Sequence, residues 1–439
     1  MSITADLSLA LRSLAGYAGG LVNPTLRLGV TGLSRSGKTV FITALVHALM
    51  EGGRLPLFGA LAEGSIHKVS LAAQPDDAVP RFPYEDHLAA LTGQGSAGKE
   101  RHWPQSTRRI SELRLVIEYE SKAGWLGGIS TLAVDIVDYP GEWLLDLPLL
   151  DKSYAQWSRE TLALARVAPR APLAKDYLAL VNAVDPAQLA EETTARQLSE
   201  SFTAFLRSCR DEHVSLSSLP PGRFLMPGDL EGSPALTFAP LATLADAPAA
   251  ASLQAMMERR YEAYKTHIVR PFFLDHFARL DRQIVLIDAL TALNAGPSAV
   301  ADLEAALGDV LKAFRTGRNS LLAQLFAPRI DRVLFAATKA DHLHHTNHDR
   351  LEAIVRALAE RAASRAEGAG ASVDVAALAA VRATREVSAK QGRVMVPCIA
   401  GVPLKGETLG TEVFDGIAEA ALFPGDLPDD AATVLNGEK

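Results

Sequence analysis

The run Gly32-Leu-Ser-Arg-Ser-Gly37-Lys38-Thr39 constrains this chain more than any other feature, because it spells G-x-x-x-x-G-K-[ST]. An apolar stretch at 26–30 (LRLGV) precedes it and an apolar periodic run at 40–50 follows. The pattern therefore lies where a phosphate-binding loop must lie, between a strand and a helix. Glycines let such a loop curl until successive backbone N–H groups point at phosphate oxygens, and the helix N-terminus adds roughly half a positive charge. Gly32, Ser34, Arg35, Ser36, Gly37 and Val40 are the expected cradle. Lys38 is placed to reach the outer phosphates, and Thr39 to offer its hydroxyl to Mg²⁺.

Composition then narrows the class. At roughly 100–200 residues per domain, 439 residues allow two to four domains. With 48% apolar and 22% charged residues, neither a disordered chain nor a coiled-coil rod is expected. No apolar run approaches the roughly eighteen residues of a membrane-spanning helix, and the start lacks a secretory pattern, so the expected compartment is the cytoplasm. Cys209 and Cys398 form no C-x-x-C unit, which argues against a zinc site or a disulfide framework. A net charge of −7 argues against nucleic acid as the main partner, so an anionic ligand needs a local site.

Two further strings choose among nucleotides. Residues 131–137 (TLAVDIV) read as a buried strand ending in Asp138-Tyr139-Pro140-Gly141, a D-x-x-G. Its carboxylate can hold the Mg²⁺ shell through water, and the Gly141 N–H can meet a γ-phosphate. Residues 332–337 (RVLFAA) form another strand signal that runs into Thr338-Lys339-Ala340-Asp341, a [NT]-K-x-D. Its Asp accepts two hydrogen bonds from the N1 and N2 edge of guanine, while the Lys stem lies over the base. Adenine has no matching donor pair. Charge-assisted bonds of about 1.5–3 kcal/mol imply roughly 10- to 150-fold preference for GTP over ATP. Each string is weak alone; their order, each at the C-terminal end of a strand signal, carries the inference.

On the stretches RLGVTGLSRSGKTVFITALV, WPQSTRRISELRL, DIVDYPGEWLLDLPLL, TKADHL and AAVRATRE, the chain resembles the YcjX-like stress-associated P-loop GTPases of bacteria. The resemblance implies an α/β fold: a Ras-like G domain, doubly wound around a mostly parallel sheet, with a large helical insertion. It also implies GTP and GDP binding with Mg²⁺, slow hydrolysis, and a loose association with the phage-shock and envelope-stress response. Carried onto this sequence, Ser106 and Thr107 look like switch I, with Thr39, Thr107 and Asp138 around the metal. Trp103 is either a cover for the nucleotide or an ordinary aromatic beside Pro104. Lys339 and Asp341 look like base readers, with His342 next to them. Ala383 and Thr384 resemble the loop closing the other side of guanine, and Ser388-Ala389-Lys390 competes for that role.

The catalytic set implied is Lys38, Thr107, Arg108 and Glu142. Many GTPases place a water-orienting Gln where this chain has Glu142. A carboxylate beside a γ-phosphate repels it unless protonated or neutralised by an arginine. Arg101, Arg108 and Arg109 flank switch I and are either that source or simply solvated.

The spacing predicts a G domain from 20–145 and 281–425, a helical insertion at 146–280, and an amphipathic helix at 1–19. That first helix, built on Ile3, Leu7, Leu11 and Leu14, either docks on the protein's own body or makes weak peripheral membrane contact. The stretch 51–98 reads as loop with short elements, and 215–250 as a long loop, functional or disordered. Helices are predicted at 154–167, 174–184, 186–210, 251–266, 301–314 and 351–365, and a strand at 283–290. The acidic stretch 426–430 reads as frayed, and His344 with His348 reads as a solvated helix start rather than a metal pair. Three functional classes stay open: a regulatory GTPase with an unknown protein effector, a nucleotide-stabilised adaptor that barely hydrolyses, and an ATP-using enzyme.

Overall fold

The computed structural model describes residues 24–33, 35–51, 63–93, 101–105, 107–121, 128–211, 214–313, 330, 332–365, 372–391, 393–409 and 411–437. The expected helix at 1–19 and the expected site residues Ser34 and Ser106 lie outside the described residues. Two units are distinguished. The first takes in residues up to Val30, Lys38–Tyr139 and Leu280–Gln283; the second takes in Thr31–Gly37, Pro140–Arg279 and the chain from Ile284 onward.

In the first unit, β1 (Thr25–Gly32) leads toward the glycine-rich loop and α1 (Lys38–Glu51) follows it. Then come β2 (Ile66–Ala72), α2 (Tyr84–Thr92), β3 (Ser111–Ser121) and β4 (Gly128–Asp138). β3 and β4 pair antiparallel from Ser111↔Asp138 to Ser121↔Gly128. β4 runs parallel to β1, from Thr25↔Ala133 to Val30↔Asp138. That register sets Asp138 level with the last residues before the loop, and the predicted strand and its terminal carboxylate thus reach the same edge. Val30, Ile42, Val46, Leu115, Ile136 and Val137 are all buried here. Charge inside the sheet is paired: Arg114 donates from Nε and Nη2 to both oxygens of Asp135 (2.6 and 2.8 Å), and Arg27 binds Glu112 at 2.6 Å.

The stretch 51–98 holds more regular structure than predicted. β2 has little apolar periodicity of its own and forms by pairing antiparallel with β3. α2 carries Glu85 and Asp86 in its first turn. It ends at Gly93, which is left-handed (φ 72°) and donates its N–H to Ala89 O.

In the second unit, residues Gly141–Asp151 form a buried 3₁₀ segment. Helices α3 (Tyr154–Ala165), α4 (Lys175–Ala183), α5 (Glu192–Arg210), α6 (Leu253–Tyr264) and α7 (Arg270–Asp275) follow. Residues 186–191, predicted as the start of a helix, instead bond to the first turn of α6 and the residues just before it: Gln254 N donates to Pro186 O and Ala190 N to Ala251 O. The stretch 215–250 is ordered by aromatic packing. Phe224 and Phe238 meet edge to face at 4.9 Å, Phe238 meets Trp157 at 5.4 Å, and Trp157 stacks on Tyr261 at 5.1 Å. Tyr154 and Tyr177 donate their hydroxyls to Ala239 O and Pro240 O.

The rest of this unit alternates: β5 (Arg282–Ile287), α8 (Ala289–Ala295), α9 (Pro297–Ala313), β6 (Arg332–Ala337), α10 (His348–Arg365) and β7 (Ser372–Ala377). β5 stops earlier than predicted because Asp288 caps α8, accepting from Thr291 N at 3.1 Å. The main sheet has the strand order β2-β3-β4-β1-β5-β6-β7 and is mixed and mostly parallel, so the fold is α/β. After it, β8 (Arg385–Gln391), β9 (Val394–Gly401) and β12 (Ala420–Leu422) form a small antiparallel sheet; β10 (Thr408–Leu409) and β11 (Glu412–Val413) form a ribbon. The 426–430 stretch is tethered rather than frayed: Asn347 bonds Asp426 and Leu427 N, and Arg350 donates to Leu427 O. No described helix is long and apolar enough to cross a membrane.

Candidate functional site

In the first unit, four predicted site residues converge. Lys38 Nζ donates to Asp138 Oδ1 (2.5 Å) and to Tyr139 O (2.8 Å). Thr107 Oγ1 donates to Asp138 Oδ2 (2.9 Å) and lies 3.3 Å from Thr39 Oγ1. Lys38, Thr39 and Asp138 are buried. The three residues expected around Mg²⁺ thus supply hydroxyl and carboxylate oxygens within hydrogen-bonding distance of one another. That donor set suits a small hard cation that keeps part of its water shell. Local geometry explains the placement: Lys38 and Thr39 open α1, and Asp138 ends β4. Thr107 comes from the segment before β3, where Trp103 is 60% exposed and touches none of the four by any described contact. Arg101, Arg108 and Arg109 are exposed as well, and Val40 is half-buried.

In the second unit, the loop's own geometry is tight. A Cβ on Gly32 would lie 1.9 Å from Ser36 Oγ. Ser36 N donates to Leu33 O, and Leu33 N to Leu286 O of β5. Arg35 (φ 61°) and Gly37 (φ 76°) are left-handed, the chain reversal that turns N–H groups inward, and Arg35 is exposed. Gly141 backs on this loop so closely that a Cβ there would lie 2.2 Å from Gly32 O. Glu142 follows, buried, with its carboxylate 2.9 Å from Arg210 Nη2. Arg210, at the C-terminal end of α5, was not among the predicted site residues. Nothing local in the sequence marks it, because its partner is set by long-range packing.

The T-K-x-D string is also held in the second unit. Thr338 donates both its N–H and its hydroxyl to Ile287 O, which pins the turn to the end of β5. Lys339 is left-handed (φ 60°), and its ammonium lies 2.5 Å from Asp288. Asp341 is buried; it accepts from Ala383 N at 2.9 Å, and Thr384 Oγ1 donates to Asp341 O. Ala383 and Thr384, rather than 388–390, are therefore what meets Asp341; residues 388–390 belong to β8. His342 is exposed. His348 Nε2 lies 2.8 Å from Ala340 O and so braces the turn, which leaves His344 without it as a metal partner. Asp288 is the other partner of these strings that the sequence did not single out, although an acid near the end of a strand signal was a readable clue.

The model of the YcjX-like family, DUF463, matches residues 26–439. The Ras-like GTPase YcjX of Escherichia coli (strain K12) is 37% identical over 420 residues, which cover 93% of this chain and 86% of that protein. The Ras-like GTPase YcjX of Shewanella oneidensis (strain MR-1) is 37% identical over 427 residues, covering 92% and 84%.

Proposed function

This chain belongs to the YcjX-like family, and from that premise we propose that it is a regulatory GTPase that binds GTP and GDP with Mg²⁺ and hydrolyses GTP slowly. The observation that carries this reading is the cluster of buried Lys38, Thr39 and Asp138 with half-buried Thr107. In it the lysine of a phosphate loop already touches the acid of D-x-x-G, and a switch I threonine bonds that acid and lies beside Thr39. Thr39, Thr107 and Asp138 would hold the ion, which supplies positive charge at the phosphates. Lys38 would exchange Asp138 and Tyr139 O for the outer phosphates. Asp341, oriented by Ala383 N, would read guanine, and the stem of Lys339, anchored at Asp288, would lie over the base.

The output is conformational. A γ-phosphate held by Thr107 and by the Gly141 N–H tightens both segments, and its loss on hydrolysis releases them. The helices of 146–280, read as an insertion in a G domain, are the effector surface in this account, and stress response in the cytoplasm is the setting the family resemblance supports.

A second reading has one observation in its favour: the water-orienting position carries Glu142, sealed by Arg210. That arrangement suits an adaptor stabilised by nucleotide with negligible hydrolysis. Single-turnover GTP hydrolysis by wild type, Lys38→Ala and Glu142→Gln separates the two. Slow, Mg²⁺-dependent turnover in wild type that vanishes in Lys38→Ala supports the GTPase; no turnover in either wild type or Glu142→Gln supports the adaptor.

A further inference from the structure

We propose that Arg210 is the arginine this chain supplies in cis to the γ-phosphate, held in reserve by Glu142 until GTP arrives. The inference rests on the GTPase reading above and adds a residue to it.

Three observations within one unit point the same way. Gly141 is pressed against the phosphate loop, its missing Cβ 2.2 Å from Gly32 O and 3.1 Å from Leu33 N, so the next residue, Glu142, stands beside the loop. The backbone of Glu142 is closely packed: a Cβ on Gly222 would lie 2.0 Å from Glu142 O, and Gly222 is itself held by Asp146, which accepts its N–H at 2.7 Å. The Glu142 carboxylate is 2.9 Å from Arg210 Nη2. The third observation is a small cavity lined by Leu33 and Arg35 of the loop together with Arg210, Leu216 and Asp288. Arg210 therefore opens onto the loop as well as onto Glu142. The arginines expected for this task from sequence, Arg101, Arg108 and Arg109, are exposed and make no described contact with the loop.

The chemistry needs such a group. In the hydrolysis, the oxygen of water forms a new bond to the γ-phosphorus. The bond to the β,γ-bridging oxygen breaks and leaves its electron pair on GDP. The second water proton passes to a phosphate oxygen, giving dihydrogen phosphate. Negative charge grows on the bridging and equatorial oxygens as this happens. A carboxylate at position 142 opposes that growth. A planar guanidinium lying between the carboxylate and the phosphate cancels the repulsion and offers a second pair of N–H donors to the equatorial oxygens. The Glu142–Arg210 pair is thus a storage position for the charge, and one elongated side chain can trade one oxyanion for the other without moving α5.

The test compares GDP with GDP plus aluminium fluoride, a mimic of the planar γ-phosphoryl group, by thermal shift alongside single-turnover hydrolysis. Wild type, Arg210→Lys, Glu142→Gln and the double variant Glu142→Gln/Arg210→Lys are measured. The double variant removes the buried carboxylate that Arg210→Lys alone would leave poorly paired. Expected is a fluoride-dependent increment in wild type and in Glu142→Gln. Both Arg210→Lys proteins lose that increment while keeping the shift from GDP alone, and the hydrolysis rate falls roughly 10³-fold. A merely structural arginine would lower stability without separating the two ligands. If the lysine variants keep the fluoride increment and a rate within about twofold of their parents, Arg210 does not act at the phosphate. If no protein shifts with GDP, the GTPase reading fails and takes this inference with it.

Discussion

Lys38 cannot fully serve two anions at once. It donates to Asp138 and to Tyr139 O within one buried cluster, so under the proposed function a triphosphate would have to win it from a carboxylate that would then be free for the metal shell. Asp138→Asn keeps the volume and removes that charge. The expected result is a loss of at least about tenfold in the Mg²⁺ dependence of nucleotide affinity, read by titrating a fluorescent GDP with and without the ion. Gly141 is constrained by space instead of charge. Gly141→Ala puts a methyl group 2.2 Å from Gly32 O, where backbone must yield. Overpacking of that kind costs about 1–3 kcal/mol, so denaturant unfolding should show it; an unchanged midpoint would mean that the loop is not rigid there.

At the scale of elements, the 3₁₀ segment after β4 is tied to the helices by Asp146. Its carboxylate accepts from Tyr264 OH (2.5 Å) and from Gly222 N (2.7 Å), yet burial dominates and raises its pKa to about 6. Between its ordinary value and about 6, the folded chain keeps a proton that the unfolded chain has released. Stability therefore falls as pH rises through that window and is flat above it, by roughly 3 kcal/mol from this group. Asp146→Asn should flatten that pH dependence in urea unfolding measured between about pH 4 and 7. A variant as pH-dependent as wild type would assign the effect elsewhere. Elements also mark the limits of sequence reading. The strand before the loop, β4 and α10 announce themselves by local pattern. β2 does not, because its hydrogen bonds come from β3, and the order of 215–250 comes from aromatic partners such as Trp157 and Tyr261 that lie far along the chain.

For the whole molecule, the phosphate loop, D-x-x-G and T-K-x-D were legible because each is a short string at a strand end. The pairs that tune them were not. Asp288 holds Lys339, and Arg210 holds Glu142, across separations that only the folded chain closes. Under the proposed function, these strings serve one guanine nucleotide. Competition of GDP, GTP and ATP for a fluorescent guanine nucleotide, in Mg²⁺, measures it directly in wild type and Asp341→Ala. Wild type should prefer guanine over adenine nucleotides by roughly 10- to 150-fold, and Asp341→Ala should bring the two together. ATP competing as well as GTP in wild type, or no binding of either, would contradict the account.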